Sequence, residues 1–510
     1  SVTLGNASVT AVYMAQDSDT AGTGAVVHCL DVAPTGAVLH ENLITNSGFD
    51  VWSNSTLVNA VSGAAPVLDG ANSALTNNML TNGAFDSATT GWSAASHASG
   101  PTISSESGGK TGNCLKILEA GGTYPYAYQD VTVVPGKLYQ FNCYVNDGDG
   151  SAYNVFLYDQ TNGADIYSTG ALTAANDWTS SVVNRVFEIP AGCTTLRIRL
   201  YHYVGATAGT YIFYDSVTLY EVTPACIADD GLACDGWGKD GSNIDLFRQE
   251  YIDVGHASNT VNSKDGSYYA LKVVTAAVNR TLYANYAQDG KAEMYQRYAG
   301  RTVTAGCWVQ TDDASHCKLR LFDGSDRTDS SYHSGTDDTW EWLEVTKTIS
   351  ASATNFRFEL FFELSAKTAY ISQPMLVFGN SIGEGNYTRP QGEWVYFEKE
   401  VTSNLFATLT GQSDVSATTV NTEADSNGAI PKGAKSIRFW TRLKDSGSAG
   451  TANVGLQTKA SGFYSSFNIV SGLADDVVGY FSGENILCDE NGDYQYVLEA
   501  SGSGTLDSQG

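Results

Sequence analysis

Apolar and polar residues alternate with a period of two along most of this chain. The segments "CLKIL" (114–118), "TTLRIRLYHYV" (194–204), "KLRLF" (318–322), "FRFELFF" (356–362) and "SIRFWTRL" (436–443) each put every second side chain on one face. A strand half-buried in a sandwich needs this pattern. Clusters such as "NDGDG" (146–150) and "DGSD" (323–326) separate the strands with turn-forming residues. Helical spacing is scarce; the segment 286–299, "YAQDGKAEMYQRYA", is expected to hold a turn of helix despite its internal glycine.

The strand pattern is written twice. The series "CLKIL", "KLYQFNCYV", "NVFLYDQ", "DWTSSVV", "TTLRIRL", "TYIFYDSVTL" recurs in the same order as "ALKVV", "RTVTAGCWV", "KLRLFDG", "TWEWLEV", "TNFRFEL", "TAYISQPML". Lys116 and Lys272 are 156 residues apart, Cys143 and Cys307 164, Trp178 and Trp340 162, and Leu219 and Leu376 157. Two related sandwiches of about nine strands each account for such a repeat. A shorter motif also recurs, as "NLITNSGFDVW" (42–52) and "NMLTNGAFDSATTGW" (78–92). The second copy leads straight into the first strand series, whereas the first copy has none behind it. The second series, 238–390, lacks an opening of its own and follows "DGLACDGWGKDG" (230–241). Nesting is therefore expected. Residues 42–77 and 223–390 would form a discontinuous outer jelly-roll sandwich, with 78–222 inserted as an inner one where loop ends lie close together. Residues 1–41 would be a β-rich lead-in that docks elsewhere, and 391–510 a C-terminal β-sandwich with strands at "WVYFEKEV", "SIRFWTRL", "NVGLQTK" and "DYQYVLEA". The fold class is thus all-β, with tandem or nested jelly rolls plus a C-terminal sandwich.

Composition narrows the function. The chain has 510 residues, 42% hydrophobic but only 16% charged, with 52 Gly and 29 Tyr. Its 28 basic residues against 55 acidic ones give a net charge of −27. That balance excludes nucleic acid as a partner, since a phosphate backbone needs a basic surface. No apolar run reaches the ~18 residues of a membrane span, so no membrane insertion is expected. No signal-peptide pattern is visible at Ser1. The nine cysteines include no CxxC pair, which argues against zinc. Cys143 and Cys307 read as core thiols. Cys226 and Cys234 stand where the outer sandwich would resume; a disulfide there would clamp the return, and two ordinary thiols are the alternative. P-loop and HExxH patterns do not occur, and 55 acids single out no glycosidase pair, so no enzyme is expected.

Both openings, with the closing strand "YIFYDSVTLYEV", resemble the jelly rolls of carbohydrate-binding modules of the family 4/9 type. The final unit, with "AIPKGAKSIRFWTRLKDSGSAGTANVGL" and "GDYQYVLEASGSGTLD", is similar to C-terminal sandwiches of phage tail and fibre proteins. Over 42–510 the resemblance implies a bacteriophage virion protein: a tail-fibre, spike, head-fibre or decoration subunit at the extracellular virion surface. Its partners would be other virion proteins and host-surface polysaccharide, in a homo-oligomer with a trimer among the options. The alternative is a secreted polysaccharide-active enzyme or its accessory module. Modules of this family commonly hold a structural Ca2+ between an acid of the opening and one of the last strand. The matching positions here are Asp86 and Asp215. In the outer copy Asp50 is retained, but Ser372 replaces the second acid, which undercuts a second calcium.

Strand alternation also nominates a sugar platform. Tyr144, Tyr158 and Arg197 point outward in the inner copy, with Arg199, Tyr201 and Tyr203 extending the row, and Trp308, Phe322 and Arg357 match them in the outer one. Aromatic faces stack on the C–H faces of sugars, and Arg offers planar donors to hydroxyls or carboxylates. Tyr124, Tyr126 and Tyr128 form a second candidate row. For both rows the competing reading is structural, as packing against a neighbour or a cross-strand aromatic ladder.

Overall fold

The computed structural model describes residues 41–60, 75, 77–95, 102–121, 123–149, 152–203, 208–227, 232–240, 243–250, 263–264, 267–284, 292–336, 339–390, 392–399, 401, 409–445, 453–458, 467–469 and 478–509. The chain divides at residue 40 into two units. Residues 1–40 of the expected lead-in lie outside the described residues.

The strand alternation is realised as antiparallel sheets, and the sequence repeat is a repeat of topology. In the first copy one layer runs Thr102–Ser107, Asn113–Leu118, Tyr211–Cys226, Leu138–Asp147, Val182–Glu188. The other layer runs Ser93–Ala95, Tyr126–Thr132, Thr195–His202, Ala152–Asp159, Ala164–Ser168. The second copy repeats both orders, as Ile244–Glu250, Tyr269–Thr275, Lys367–Phe378, Thr302–Gln310, Glu341–Thr348 and as Trp237–Lys239, Arg280–Ala284, Arg357–Phe362, Cys317–Phe322, Arg327–Tyr332. The long strand Tyr211–Cys226 joins the copies. Its start belongs to the first sandwich, while Ala225 and Cys226 pair with Phe247 and Leu246 of the second, making one sheet of 11 strands. The short strand Thr56–Asn59 lies along the same end, with Thr56 opposite Ala225 and Asn59 opposite Val222.

Each sandwich has its own core. Phe85 and Trp92, from the opening at 78–92, pack with Tyr139, Phe141, Cys143, Leu200 and Tyr214. Ile44, Phe49 and Trp52, from the opening at 42–52, pack with Trp237, Tyr298, Phe356, Phe358 and Cys307. The recurring motif encodes one turn. Asn46 and Phe49 have φ of 53° and 54°, and Asn82 and Phe85 repeat them at 53° and 56°. Asn tolerates this left-handed region; Phe pays a steric cost there. The cost is offset because both Phe rings are fully buried. The Asn side chain also closes the turn, Asn46 Oδ1 accepting from the Asp50 and Val51 amides at 2.8 and 3.0 Å, and Asn82 Oδ1 from the Ser87 amide at 3.2 Å.

Other expectations fare variously. The helical turn near 286–299 is a 3-10 helix, Ala292–Arg297. Cys226 and Cys234 are both buried thiols, as are Cys143 and Cys307. The strand expected at 394–401 is absent from the described residues there. Residues 393–399 instead run as irregular chain over the 46–54 turn, where Asn46 N donates to Glu393 at 2.6 Å, Asn54 to Glu398 at 3.0 Å and Glu398 N to Asp235 at 2.7 Å. Its alternation reflects a strap with one wet side: Trp394 and Tyr396 are 47% and 80% exposed.

Beyond the strap, Leu409–Val420, Ser436–Asp445, Asn453–Thr458, Phe467–Ile469, Val478–Leu487 and Tyr494–Gln509 form a six-stranded sheet. A buried turn, Asn421–Lys432, clasps this unit to both sandwiches. Its helical turn Thr422–Asp425 is capped by Asn421, whose side chain accepts from Ala424 N at 2.9 Å. Asp425 pairs with Arg185 of the first sandwich at 2.6 Å, and Lys432 with Glu188. Glu423 pairs with Arg248 of the second sandwich at 2.6 Å, where both side chains are all but completely buried.

Candidate functional site

The outward face of the layer Tyr126–Thr132, Thr195–His202, Ala152–Asp159 carries most of the nominated residues. Cross-strand register puts Tyr158, Arg197 and Asp130 in one row, Phe156, Arg199 and Tyr128 in the next, and Asn154, Tyr201 and Tyr126 in a third. Tyr126, Tyr128, Phe156 and Tyr158 are half-buried. Arg197 is committed within the protein, donating through Nε and Nη2 to the two Asp130 oxygens at 2.6 and 2.7 Å and lying 4.2 Å over the Tyr128 ring. The Arg199 guanidinium lies 3.5 Å over the Tyr158 ring, and among the described residues no carboxylate reaches it within ion-pair distance. Tyr201 is 5% exposed beneath this surface, with Tyr126 stacked on it at 4.5 Å and Phe156 edge-on at 5.0 Å. Burial raises its phenol pKa. Tyr201 therefore supports the platform instead of presenting a ring. Tyr124 stands outside the strand at φ 53°, stacked on Tyr203 at 4.6 Å. Tyr126 and Tyr201 are direct cross-strand partners, so an aromatic ladder is present on the same face as the platform.

Two nominated residues do not belong to this surface. Tyr144 lies on Leu138–Asp147, in the opposite layer, half-buried with Lys110 Nζ 2.9 Å from its ring centre. Trp308 lies in the equivalent strand Thr302–Gln310 and is only 5% exposed. It packs edge-on to Trp342 at 5.7 Å, with Lys264 Nζ 4.1 Å over its ring. The reason is the jelly-roll connection. The chain crosses between layers from Leu138–Asp147 to Ala152–Asp159 and from Thr302–Gln310 to Cys317–Phe322, so residues that point outward on either side of these crossings lie on opposite sides of the sandwich.

Phe322 and Arg357 do meet, directly opposite each other on Cys317–Phe322 and Arg357–Phe362. They repeat the Tyr158–Arg197 pairing at the same place in the second sandwich. The surrounding residues were not nominated from sequence, because they emerge only from cross-strand register. Arg327 pairs with Phe322 from the edge strand, its guanidinium 4.4 Å over the ring. Arg320 lies 3.9 Å over Phe361, and Arg357 4.7 Å over Tyr283. Glu359, opposite Arg320 and Tyr283, is 2% exposed. Burial raises its carboxyl pKa, which Arg327, Arg320 and Arg357 partly offset.

Asp86 and Asp215 converge on one loop. Asp86 Oδ1 accepts from Asn113 N at 3.1 Å, and Asp215 Oδ2 from Thr111 N at 3.0 Å. Asp215 is fully buried, and its pKa is raised first by burial and further by the charge of Asp86. A cation would relieve that repulsion, so the pair suits calcium in sign and in oxygen chemistry. The fit is partial. Calcium takes about six to eight oxygens, the loop turns N–H groups toward both acids, and no cluster of three or more ligating side chains occurs among the described residues. In the second sandwich the Arg389 guanidinium meets Asp50 at 2.5 Å and supplies the positive charge itself.

One pentapeptide, Gly379–Gly383 ("GNSIG"), matches the GxSxG pattern in letters. It follows the strand Lys367–Phe378 and leads into turns and irregular chain, not into the helix that a nucleophile elbow requires.

No protein-family model matches the chain, and no curated protein matches it. Several solved structures are similar. A CBM4 structure matches at 20% identity and TM-score 0.24, over 28% of this chain and 99% of its own. The N-terminal CBM22-1–CBM22-2 tandem domain of Paenibacillus barcinonensis Xyn10C matches at 15% identity and TM-score 0.25, over 60% and 99%. The enzymatically active domain of bacteriophage CBA120 tailspike protein 4 matches at 16% identity and TM-score 0.24, over 28% and 21%.

Proposed function

We propose that this chain is a glycan-binding protein that acts by adhesion and not by turnover, using the outward sheet face of its first sandwich. The observation that carries the reading is the set of half-buried rings Tyr126, Tyr128, Phe156 and Tyr158 around Arg199, on three adjacent strands. Such rings offer apolar faces to sugar C–H groups, and the guanidinium offers donors to ring hydroxyls. A shallow platform of this kind binds weakly on its own, because ordering a flexible ligand offsets a few stacked rings. Many copies on one particle would compensate through effective concentration. A virion fibre, spike or decoration subunit meets that need, and the sequence resemblance of the openings and the final unit favours this placement. An accessory module of a polysaccharide-active enzyme would use the same face.

Retention of the purified chain on a panel of immobilised polysaccharides tests the reading. Tyr126→Ala with Tyr158→Ala should weaken retention about 5- to 150-fold, each ring contributing about 0.5–1.5 kcal/mol. If no polysaccharide is retained, or if the folded double variant is retained equally well, the glycan reading fails. Antibody labelling of phage particles, set against assays for newly released reducing ends, separates the virion subunit from the enzyme accessory.

A further inference from the structure

The two sandwiches present the same face, but one matching row of it carries opposite charge. In the first, the row across the strands reads Asp165, Tyr158, Arg197, Asp130. Acids stand at both ends, and the single arginine is held by Asp130 through two hydrogen bonds. In the second, the matching row reads Arg327, Phe322, Arg357. In the neighbouring rows of this second face, charges close on themselves. Lys318 and Arg320 bond Asp329 at 2.7 and 2.9 Å, and buried Glu359 sits 3.9 Å from Arg320 and 3.8 Å from Arg327. Asp240 acts on Glu359 from the edge of this face and Glu363 accepts from the Tyr332 hydroxyl at its far end, so a positive surplus is confined to the row of Phe322, where two arginines and no acid stand. The chain as a whole has about twice as many acids as bases, 55 to 28, so this row reverses its balance.

We propose that the face of the second sandwich takes a sugar ring bearing an anionic group, a carboxylate or a sulfate ester, with Phe322 beneath the ring and Arg327 and Arg357 on either side. The first face, by contrast, takes uncharged rings. This inference rests on the glycan-binding reading above and names the ligand class of its second face. The geometry suits the task. Neighbouring strands lie ~4.8 Å apart, so two arginines flanking a central strand stand roughly 10 Å apart at the backbone and straddle one ring. A guanidinium matches carboxylate and sulfate oxygens with a planar pair of donors. Arg327 is 52% exposed and able to reorient onto a ligand. The net charge of −27 does not forbid an acidic ligand. Charges beyond about 8 Å are largely screened at physiological ionic strength, so the local row decides.

The test compares affinities of the full chain for polygalacturonate, dextran sulfate and an uncharged galactan, at two salt concentrations. The readout is the ratio of acidic to uncharged affinity. Arg327→Gln with Arg357→Gln should lower that ratio about tenfold and flatten its salt dependence, while the Lys equivalents should preserve part of it. Arg327→Gln alone, at an exposed position, guards against a folding artefact. Retention on either anion supports the proposal and identifies the anionic group. Two results overturn it alone: retention of the galactan but of neither anion, or an unchanged ratio in the folded variants. Retention of none of the three removes the glycan reading itself.

Discussion

The Arg248–Glu423 pair fastens the C-terminal unit to the second sandwich, and its removal should be costly. Both side chains are removed from water, at 0% and 2% exposure. Arg248 also donates to Gly428 O at 2.9 Å and lies 4.3 Å over the Tyr269 ring, while the Tyr269 hydroxyl donates to Glu423 at 2.8 Å. Glu423→Leu strands a buried guanidinium, at about 3–5 kcal/mol. It also deprives the Tyr269 hydroxyl of this partner, at about 1–3 kcal/mol. The sum rivals the whole stability of many domains, about 5–15 kcal/mol. Arg248→Met should cost about 3–5 kcal/mol, because it leaves the buried Glu423 carboxylate without its guanidinium partner. The double change Arg248→Met/Glu423→Leu removes both charges and should recover most of the loss, since a well-packed apolar pair often matches a buried ion pair. Urea unfolding followed by circular dichroism, with limited proteolysis of the clasp, reads all four proteins. Single changes costing under about 1 kcal/mol, or a double equal to the sum of the singles, would refute the argument.

The clasp should also respond to pH. Burial pushes the Asp425 carboxyl up to about 6, and the Glu188 carboxyl, beside Glu423 and Lys432, to about 7. Both hold protons more tightly folded than unfolded, so their contribution falls as pH rises from about 4 to 7. Asp425→Asn should remove up to about 3 kcal/mol of that fall, and equal pH profiles for variant and parent would count against it. Calcium at a hundredfold excess over its Kd should stabilise the first sandwich by about 2.7 kcal/mol, an effect abolished by chelator and by Asp86→Ala. A melt indifferent to chelator, in protein shown to contain calcium, would end that idea. Deleting residues 78–222 and joining 77 to 223 should leave a cooperatively folding remainder if these residues are an insertion, whereas a disordered product, with 78–222 also unfolded alone, would argue against it.

Much of the fold was legible because strand alternation and the internal repeat are local in sequence. Strands such as Asn113–Leu118, Thr195–His202 and Cys317–Phe322 lie within a residue or two of their alternating segments. Alternation says whether a side chain points in or out, but not which of two layers its strand joins. That is why Trp308 and Tyr144 looked like members of a platform they do not share. Tyr158 with Arg197 and Phe322 with Arg357 were recoverable because each pair sits at matching positions in both copies. The row Arg327, Phe322, Arg357 was not, since it depends on which residue of an edge strand stands opposite Phe322. Nor does any local signal announce that Arg389 would neutralise Asp50, 339 residues away along the chain. The strap at 393–399 mimics a strand because one wet and one dry side give the same alternation as a sheet.

The ladder between Thr56–Asn59 and the end of Tyr211–Cys226 has a mechanical consequence. Thr56 lies opposite Ala225 and Asn59 opposite Val222, so the chain leaves for residues 60–221 at one end of a four-pair zipper and returns beside its departure. A pull applied through residues 55 and 226 is first carried across those hydrogen bonds, and the first sandwich is short-circuited while they hold. They are loaded one pair at a time, the weak direction for an antiparallel ladder. Once they part and the sandwich behind them unravels, about 160 residues become available, roughly 550 Å of slack at ~3.5 Å each. A force–extension trace would show this as a single long step, preceded by a short one no larger than the zipper itself. A long step with no preceding short one would mean that the ladder does not shield the first sandwich.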